Sequence, residues 1–118
     1  MKQIYNPYLP LYEHIPDGEP HVFGDRVYIY GSHDKEDGEF FCMLDYVTYS
    51  APIDNLKDWR YEGVIYSRTA DPDNADGAYC LWAPDVIRGY DGRYYLEINS
   101  SNGQHMTIRL CLYKFSYK

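Results

Sequence analysis

The sequence contains few basic residues and few cysteines. Its 118 residues include 11 Lys and Arg against 18 Asp and Glu, which gives a formal net charge of −7 at pH 7. Affinity for nucleic-acid phosphates depends on clustered Lys and Arg, so this balance argues against a nucleic-acid partner. Cys42, Cys80 and Cys111 cannot all pair within one chain and show no Cys-x-x-Cys spacing. We interpret them as reduced, small hydrophobic residues in the core.

Long hydrophobic runs are also missing. No stretch reaches the roughly 18 consecutive apolar residues of a transmembrane helix, and no signal peptide is evident. We therefore expect a cytoplasmic protein with no membrane partner. His14, His21 and His105 are separate from one another and do not have the spacing of metal ligands. We expect no metal and no cofactor.

Tyrosine, in contrast, is abundant. The chain has 15 tyrosines, often in alternation as in residues 28–30 (YIY), and alternating tyrosine favours β-strands. No segment reads as a convincing helix, so the fold class is predicted to be all-β. Gly24 and Asp25 form a tight reversal between the first two strands. Turn signals divide the first half of the chain into four strand-like runs, at 19–23, 26–32, 40–50 and 60–66.

The strand pattern repeats after about 64 to 67 residues. Residues 20–23 (PHVF) match 84–87 (PDVI), and residues 25–32 (DRVYIYGS) match 92–100 (GRYYLEINS) with one gap. A repeated four-stranded unit of this length is typical of a β-propeller blade, and the second unit lacks its fourth strand. The sequence therefore predicts an incomplete β-propeller. Its parts are blade one at about 19–66 and an incomplete blade two at about 82–118.

Two blades cannot close a ring, because each blade buries its faces only against its neighbours. We therefore expect either a fragment of a longer propeller or an assembly of several copies. The apolar run at residues 108–115 (IRLCLYKF) would leave a strand edge uncovered. Self-association through this edge is expected.

The connectivity of a propeller predicts which side chains can meet. The inner strand of each blade starts at one face of the ring, and the loop between its second and third strands returns to that face. Asp17 and Glu19, at the start of the first inner strand, should therefore share one mouth with Trp82 and Asp85 of the second. Two loops border the same mouth, at residues 33–39 and 100–105.

Several motifs resemble glycoside hydrolase family 43, whose members are five-bladed propeller β-xylosidases, α-L-arabinofuranosidases and arabinanases. The resemblance extends from residue 4 to about residue 109. It implies the N-terminal part of an inverting glycosidase that acts on arabinose- or xylose-containing oligosaccharides of plant cell walls. The motifs are Asn6-Pro7, Glu19-Pro20, residues 26–32 (RVYIYGS), residues 81–86 (LWAPDV) and residues 91–96 (DGRYYL).

The resemblance implies a carboxylate base on the first blade, a second Asp that tunes pKa on the third, and a Glu acid on the fourth. Only the base would lie in this chain, so we expect the chain to be inactive by itself. The family places an Asp directly before Pro, whereas this sequence has Glu19 there and Asp17 two residues earlier. Glu19 and Asp17 are both candidates for the general base.

Four further residues are candidates for sugar binding. Trp82 matches the Trp of the family's Trp-Ala-Pro strand, which implies that its ring stacks on a sugar while Asp85 holds hydroxyl groups. The alternative is a core tryptophan between blades. Residues 32–34 (SHD) cannot form a Ser-His-Asp triad, because adjacent strand residues point to opposite faces. We expect His33 and Asp34 to line the rim of the pocket.

Residues 71–77 (DPDNADG) have the composition of a calcium loop but not its register. Ala75 and Asp76 occupy the positions where the EF-hand pattern requires an oxygen ligand and a glycine. We interpret this stretch as an acidic, solvated loop. Two alternatives to the enzyme also fit the sequence as a whole: a non-catalytic carbohydrate-binding or oligomeric propeller module, and a truncated fragment without function.

Overall fold

The structure, a computed structural model, describes residues 7–110. The strands among these residues form two antiparallel sheets, one of four strands and one of three, each in sequence order. The first sheet contains β1 (Glu19–Phe23), β2 (Arg26–Tyr30), β3 (Tyr46–Pro52) and β4 (Arg60–Tyr66). The second contains β5 (Leu81–Arg88), β6 (Tyr94–Ser100) and β7 (His105–Leu110).

The all-β prediction is confirmed, with one strand displaced. The third strand was predicted from residue 40 but begins at Tyr46, because Cys42 has a φ of 59°, which an extended strand does not accommodate. Two short 3₁₀ turns, Arg68–Ala70 and Pro72–Asn74, join the sheets where no helical turn was expected. No helix within residues 7–110 is long and apolar enough to cross a membrane.

The two copies of the sequence repeat form equivalent strands. β1, β2 and β3 of the first sheet correspond to β5, β6 and β7 of the second, and both sheets are antiparallel meanders. The pairing of β1 with β2 runs from Glu19 opposite Tyr30 to Phe23 opposite Arg26. The described residues therefore form two blades of an incomplete propeller. The apolar run predicted to leave an open edge continues past Leu110, and its residues 111–115 lie outside the described residues.

The two sheets pack against each other through an apolar core. The rings of Phe23 and Tyr94 meet edge to face across the interface, with their centroids 4.5 Å apart. Full burial of a Val, Leu or Ile side chain contributes roughly 1.5–3 kcal/mol, so this core is the main force that holds the blades together. Its buried members are Tyr28, Tyr30 and Tyr46 from the first sheet and Leu81, Val86, Leu96, Ile98 and Leu110 from the second.

The other face of the first sheet is partly covered by the segment that precedes β1. The ring of Tyr8 lies 5.0 Å from that of Trp59, measured between centroids. The backbone of His14 forms an isolated bridge with Asp34, in which the Asp34 N–H donates to the His14 carbonyl oxygen over 2.9 Å. These contacts direct the chain toward the start of β1.

Candidate functional site

The first strands of the two sheets, β1 and β5, contact each other through their side chains. His21, in the middle of β1, contacts Asp85 of β5, with Nε2 of His21 2.7 Å from Oδ1 of Asp85. Phe23, at the end of β1, contacts Tyr94, which pairs with the last residue of β5. The two contacts follow one another in the same order along both strands, so β1 and β5 point in the same direction. Their first residues, Glu19 and Leu81, therefore lie at the same end of the molecule.

The contact between His21 and Asp85 is supported on both sides. An ionised carboxylate only accepts hydrogen bonds, so His21 donates its Nε2–H to Asp85. The imidazole is stacked on Phe23, with centroids 5.6 Å apart, and lies 5.9 Å from the ring of Tyr30. Oδ1 of Asp85 also accepts the backbone N–H of Val86 over 2.7 Å. Both bonds engage the same oxygen, Oδ1, and the Asp85 side chain is half exposed.

The two base candidates stand at the entrance to β1. Glu19 is the first residue of the strand and is exposed, and strand alternation places it on the same face as His21. Asp17 is exposed two residues earlier and has a φ of 56°, in the left-handed region that few residues other than glycine adopt. Glu19 is thus on the side of the sheet that faces Asp85, whereas Asp17 lies in the turn before the strand.

A glycine allows the Asp17 segment to lie this close to the sheet. A Cβ atom at Gly31 would stand 2.7 Å from Cγ2 of Ile15 and 2.8 Å from the carbonyl oxygen of Pro16. The Pro16 carbonyl belongs to the backbone, which cannot move aside as easily as a side chain. Gly31 therefore permits the chain before β1 to pack against the end of β2.

Trp82 is the second residue of β5, and its side chain is open to solvent. It is 44% exposed, whereas the Leu81 before it is buried in the core. The Tyr46 hydroxyl donates a hydrogen bond to the backbone carbonyl of Trp82, across the interface between the sheets. An irregularity in the pairing between Trp82 and Asp85 follows. The indole is thus held at the mouth by its backbone, with its ring available for contact.

Asp34 and His33 are engaged in contacts within the chain. Oδ1 of Asp34 accepts the backbone N–H of Cys42, which closes the loop between them. His33 is buried, with Nδ1 2.8 Å from the Asp45 carbonyl oxygen and Nε2 3.4 Å from Oε1 of Glu13. The structure therefore places the imidazole of His33 on the far face of the first sheet, away from Glu19 and Asp85.

The acidic loop before β5 is organised by its own hydrogen bonds. Asp71 accepts the N–H of Asp73, and buried Asn74 donates to the carbonyls of Arg68 and Tyr79. Among residues 7–110, no group of three or more His, Cys, Asp or Glu side chains is arranged to hold a metal ion. The site consists of carboxylates, an imidazole and an aromatic ring.

The two cysteines within residues 7–110 make none of the contacts of the site. Cys42 is buried and free, and burial raises the pKa of its thiol. Cys80 is free and partly exposed, while Cys111 lies outside the described residues.

Sequence reasoning missed the role of His21. It was considered only as a metal ligand, although its position two residues after Glu19 places both residues on one strand face.

Several known proteins are similar to this chain. No family model matches the sequence. The chain is 65% identical over 110 residues to a xylosidase/arabinosidase of Thermoclostridium stercorarium, covering 93% of this chain and 23% of that protein. It is 34% identical over 97 residues to xylosidase/arabinosidase 43A of Humicola insolens, covering 74% and 28%. These relatives support a fragment of the glycoside hydrolase family 43 type.

A solved structure supports the family 43 assignment and the fold. The structure of RS223-β-xylosidase superposes with a TM-score of 0.60 at 26% sequence identity, over 80% of this chain and 31% of that one. A xylosidase/arabinosidase of Bacteroides ovatus is 33% identical over 96 residues. The chain spans 23 to 28% of the length of these curated relatives.

Proposed function

We propose that this chain forms the base-carrying part of an inverting glycosidase site for xylose- or arabinose-containing oligosaccharides. The observation that carries the proposal is the side-chain contact between His21 of β1 and Asp85 of β5. Two exposed carboxylates at the start of β1, Asp17 and Glu19, and the exposed indole of Trp82 at the start of β5 support it. The names of the relatives, xylosidase/arabinosidase, supply the substrate class.

Asp17 is our first candidate for the general base, with Glu19 as the alternative. Its positive φ is an unfavourable backbone conformation for a residue with a side chain, and such conformations concentrate at functional sites. In the reaction the base takes a proton from water, and the water oxygen bonds to the anomeric carbon. The glycosidic bond breaks on the opposite side of the sugar, and a general acid roughly 6.5–9.5 Å from the base protonates the departing oxygen.

Trp82 and Asp85 would bind the sugar. The exposed indole offers a flat apolar face to the C–H groups of a pentose ring. Oδ1 of Asp85 already accepts bonds from His21 and Val86, so Oδ2 is the oxygen that would accept a sugar hydroxyl. His21 holds the carboxylate in place for this contact.

The family resemblance assigns the general acid to a blade that this chain does not include. We propose that the purified chain binds pentose-containing sugars without cleaving them. The test combines isothermal titration calorimetry with xylobiose and an assay on nitrophenyl β-xyloside and nitrophenyl α-arabinofuranoside. We expect saturable binding that Trp82→Ala abolishes, no turnover, and unchanged binding in the exposed control Tyr90→Ala.

Two results would contradict this proposal. Absence of xylobiose binding by the folded chain would remove the sugar site at the mouth. Turnover by the chain that is lost in Asp17→Asn or Glu19→Gln would show that it contains a complete catalytic pair, and would identify the base.

A purely binding role is the second candidate, and the exposure of both carboxylates at the mouth favours it. A general base contacts water, so Asp17→Asn should leave xylobiose affinity within about twofold in the enzyme proposal. In a binding module the same carboxylate would contact the sugar itself. A loss of affinity of about tenfold or more, equal to about 1.4 kcal/mol, would then be the result.

A further inference from the structure

Near its start, β5 contains one residue more than the stretch of β6 that lies beside it. Trp82 is opposite Asn99 and Asp85 is opposite Glu97, with an irregularity between the two pairs. Trp82 and Asp85 are three residues apart, whereas their partners are two residues apart. An extra residue in one strand of an antiparallel pair is a β-bulge. We call this feature, at residues 83–84 (AP), the β5 bulge.

The β5 bulge places Trp82 and Asp85 on the same face of the second sheet. Residues directly opposite each other in a sheet share a face, and so do residues two apart on one strand. Because residues 97 and 99 of β6 share a face, their partners Trp82 and Asp85 share it too. In a regular strand, a separation of three residues would put the indole and the carboxylate on opposite faces.

The burial of two neighbouring residues agrees with this change of face. Leu81 and Val86 are five residues apart, a separation that puts two residues of a regular strand on opposite faces. Both are nevertheless buried in the core between the sheets, with exposures of 1% and 0%. The bulge therefore keeps Leu81 in the core and turns the adjacent Trp82 away from it.

The equivalent strand of the first blade has no bulge at this position. β1 pairs with β2 without a shift of register from Glu19 to Phe23, although its Pro20 matches Pro84 in the sequence repeat. A blade can thus be built without the irregularity, and the proline alone does not produce it. Bulges are frequent next to functional sites, where they redirect a side chain.

Two side chains donate hydrogen bonds to backbone carbonyls at the β5 bulge. The Tyr46 hydroxyl donates to the Trp82 carbonyl, and Nδ2 of Asn99 donates to the Ala83 carbonyl over 3.2 Å. A bulge disrupts the ladder locally, so its carbonyls depend on donors from outside the ladder. Tyr46 belongs to the first sheet and Asn99 to the strand beside the bulge. The bulge is therefore held from two sides.

We propose that Asn99 is a positioning residue for sugar binding, which holds the β5 bulge so that Trp82 and Asp85 contact the same sugar. The identity of the ligand rests on the proposed function. The placement itself rests on the register of β5 with β6 and on the bond from Asn99 to the Ala83 carbonyl. Asn99 acts through the backbone of β5, and Tyr46 acts on the same bulge from the first sheet.

The test is an NMR titration of the isotope-labelled 118-residue chain with xylobiose. Asn99→Asp keeps the size of the side chain but removes its N–H donor. We expect the Trp82 indole N–H resonance of the free chain to shift and the dissociation constant to rise about fivefold, equal to about 1 kcal/mol. The matched control is Asn102→Asp, which adds the same charge and keeps the Oδ1 acceptor of the Gln104 N–H. It should leave both quantities unchanged.

Two further variants separate the lost donor from the added charge. Asn99→Ala removes the same donor without adding a charge, and Tyr46→Phe removes the donor that comes from the first sheet. Both should shift the Trp82 indole resonance and weaken xylobiose binding. They also keep the test decisive if Asn99→Asp fails to fold.

The outcomes distinguish positioning from a structural role. A lower urea midpoint in the Asn99 variants, with an unchanged Trp82 resonance and unchanged affinity, would overturn the inference. A shifted resonance with unchanged affinity would also overturn it, because the sugar would then not depend on the placement. Absence of xylobiose binding by the unmodified chain would contradict the proposed function, whereas a shifted Trp82 resonance in the same variants would still show that Asn99 positions the indole.

Discussion

His21 and Asp85 occupy the same position in the two copies of the sequence repeat, 64 residues apart, and they contact each other across the two sheets over 2.7 Å. The repeat therefore has a consequence for the site as well as for the two blades. It places an imidazole and a carboxylate opposite each other on adjacent inner strands. The contact orients the side chain that we propose to bind a sugar hydroxyl.

A double-mutant cycle measures this contact. His21→Ala, Asp85→Asn and the double variant should give a coupling of about 0.5 kcal/mol in urea unfolding, small because the Asp85 side chain is half exposed and solvent screens the pair. The xylobiose affinity of His21→Ala should fall toward that of Asp85→Asn. Additive stabilities together with an unchanged affinity in His21→Ala would show that the contact positions nothing.

Two buried tyrosines should respond oppositely to loss of the hydroxyl group. Tyr30 and Tyr46 are both fully buried, but the Tyr30 hydroxyl has no partner among the described residues, whereas the Tyr46 hydroxyl donates to the Trp82 carbonyl. Tyr46→Phe should lower the free energy of unfolding by about 1–3 kcal/mol, because a carbonyl loses its donor. Tyr30→Phe should leave the free energy of unfolding unchanged or raise it, because the Tyr30 hydroxyl has no hydrogen-bond partner to lose among the described residues.

Each of these variants is the control for the other, since the substitution and the burial are the same. Denaturant unfolding followed by circular dichroism measures both. Equal destabilisation in the two variants would mean that the hydrogen bond between Tyr46 and Trp82 does not stabilise the interface between the sheets.

Gly31 is expected to be indispensable for the placement of Asp17. In Gly31→Ala the new methyl group meets the Pro16 carbonyl, so the segment before β1 must move, at a cost of roughly 1–3 kcal/mol. The backbone amide resonances of Asp17 and Gly18 should shift as well, because the segment that carries them is displaced. Gly24→Ala is the control: it introduces strain at a φ of 64° in the turn after β1, but the added atom meets nothing. Loss of stability with unchanged amide resonances of Asp17 and Gly18 in Gly31→Ala would contradict the positioning role.

Alkaline pH should unfold the chain. Burial is the largest cause that raises the pKa of Tyr28, Tyr30, Tyr46 and Tyr49 in the folded state. Above the ordinary tyrosine pKa of about 10 the unfolded chain binds fewer protons than the folded one, so the free energy of unfolding falls as pH rises. Below that pH the stabilisation is fully present.

The measurement is a pH titration that records phenolate absorbance and circular dichroism together. A late phase of phenolate formation should coincide with the loss of structure, and its amplitude should decrease in Tyr30→Phe. Complete ionisation before any loss of structure would contradict the burial of these phenols.

The sequence was sufficient for the strands whose signals are local. Alternation and turn residues predicted β1 and β4 with their observed bounds, and the repeat predicted the second sheet. The start of β3 was wrong because the left-handed backbone at Cys42 is set by its loop, where the N–H binds Asp34, and not by residue preference. Local patterns do not encode such a contact.

The site was predictable to the same extent. The repeat and propeller connectivity predicted that Asp17 and Glu19 would share one end of the molecule with Trp82. The partner of His21 is distant in sequence, and alternation alone reveals its face but not what it meets. His33 was expected at the rim, yet its backbone neighbours direct it to Asp45 and Glu13, contacts that depend on the irregular segment before β1.

The central claim is that the starts of β1 and β5 form one sugar-binding mouth. Its most direct test is the indole N–H resonance of Trp82 during titration of the chain with xylobiose, compared between the unmodified chain and Asp85→Asn. We expect a saturable shift of this signal and a dissociation constant about tenfold higher in the variant, from the loss of one hydrogen bond to a charged group. A Trp82 signal that stays fixed in the folded chain at every xylobiose concentration would contradict it.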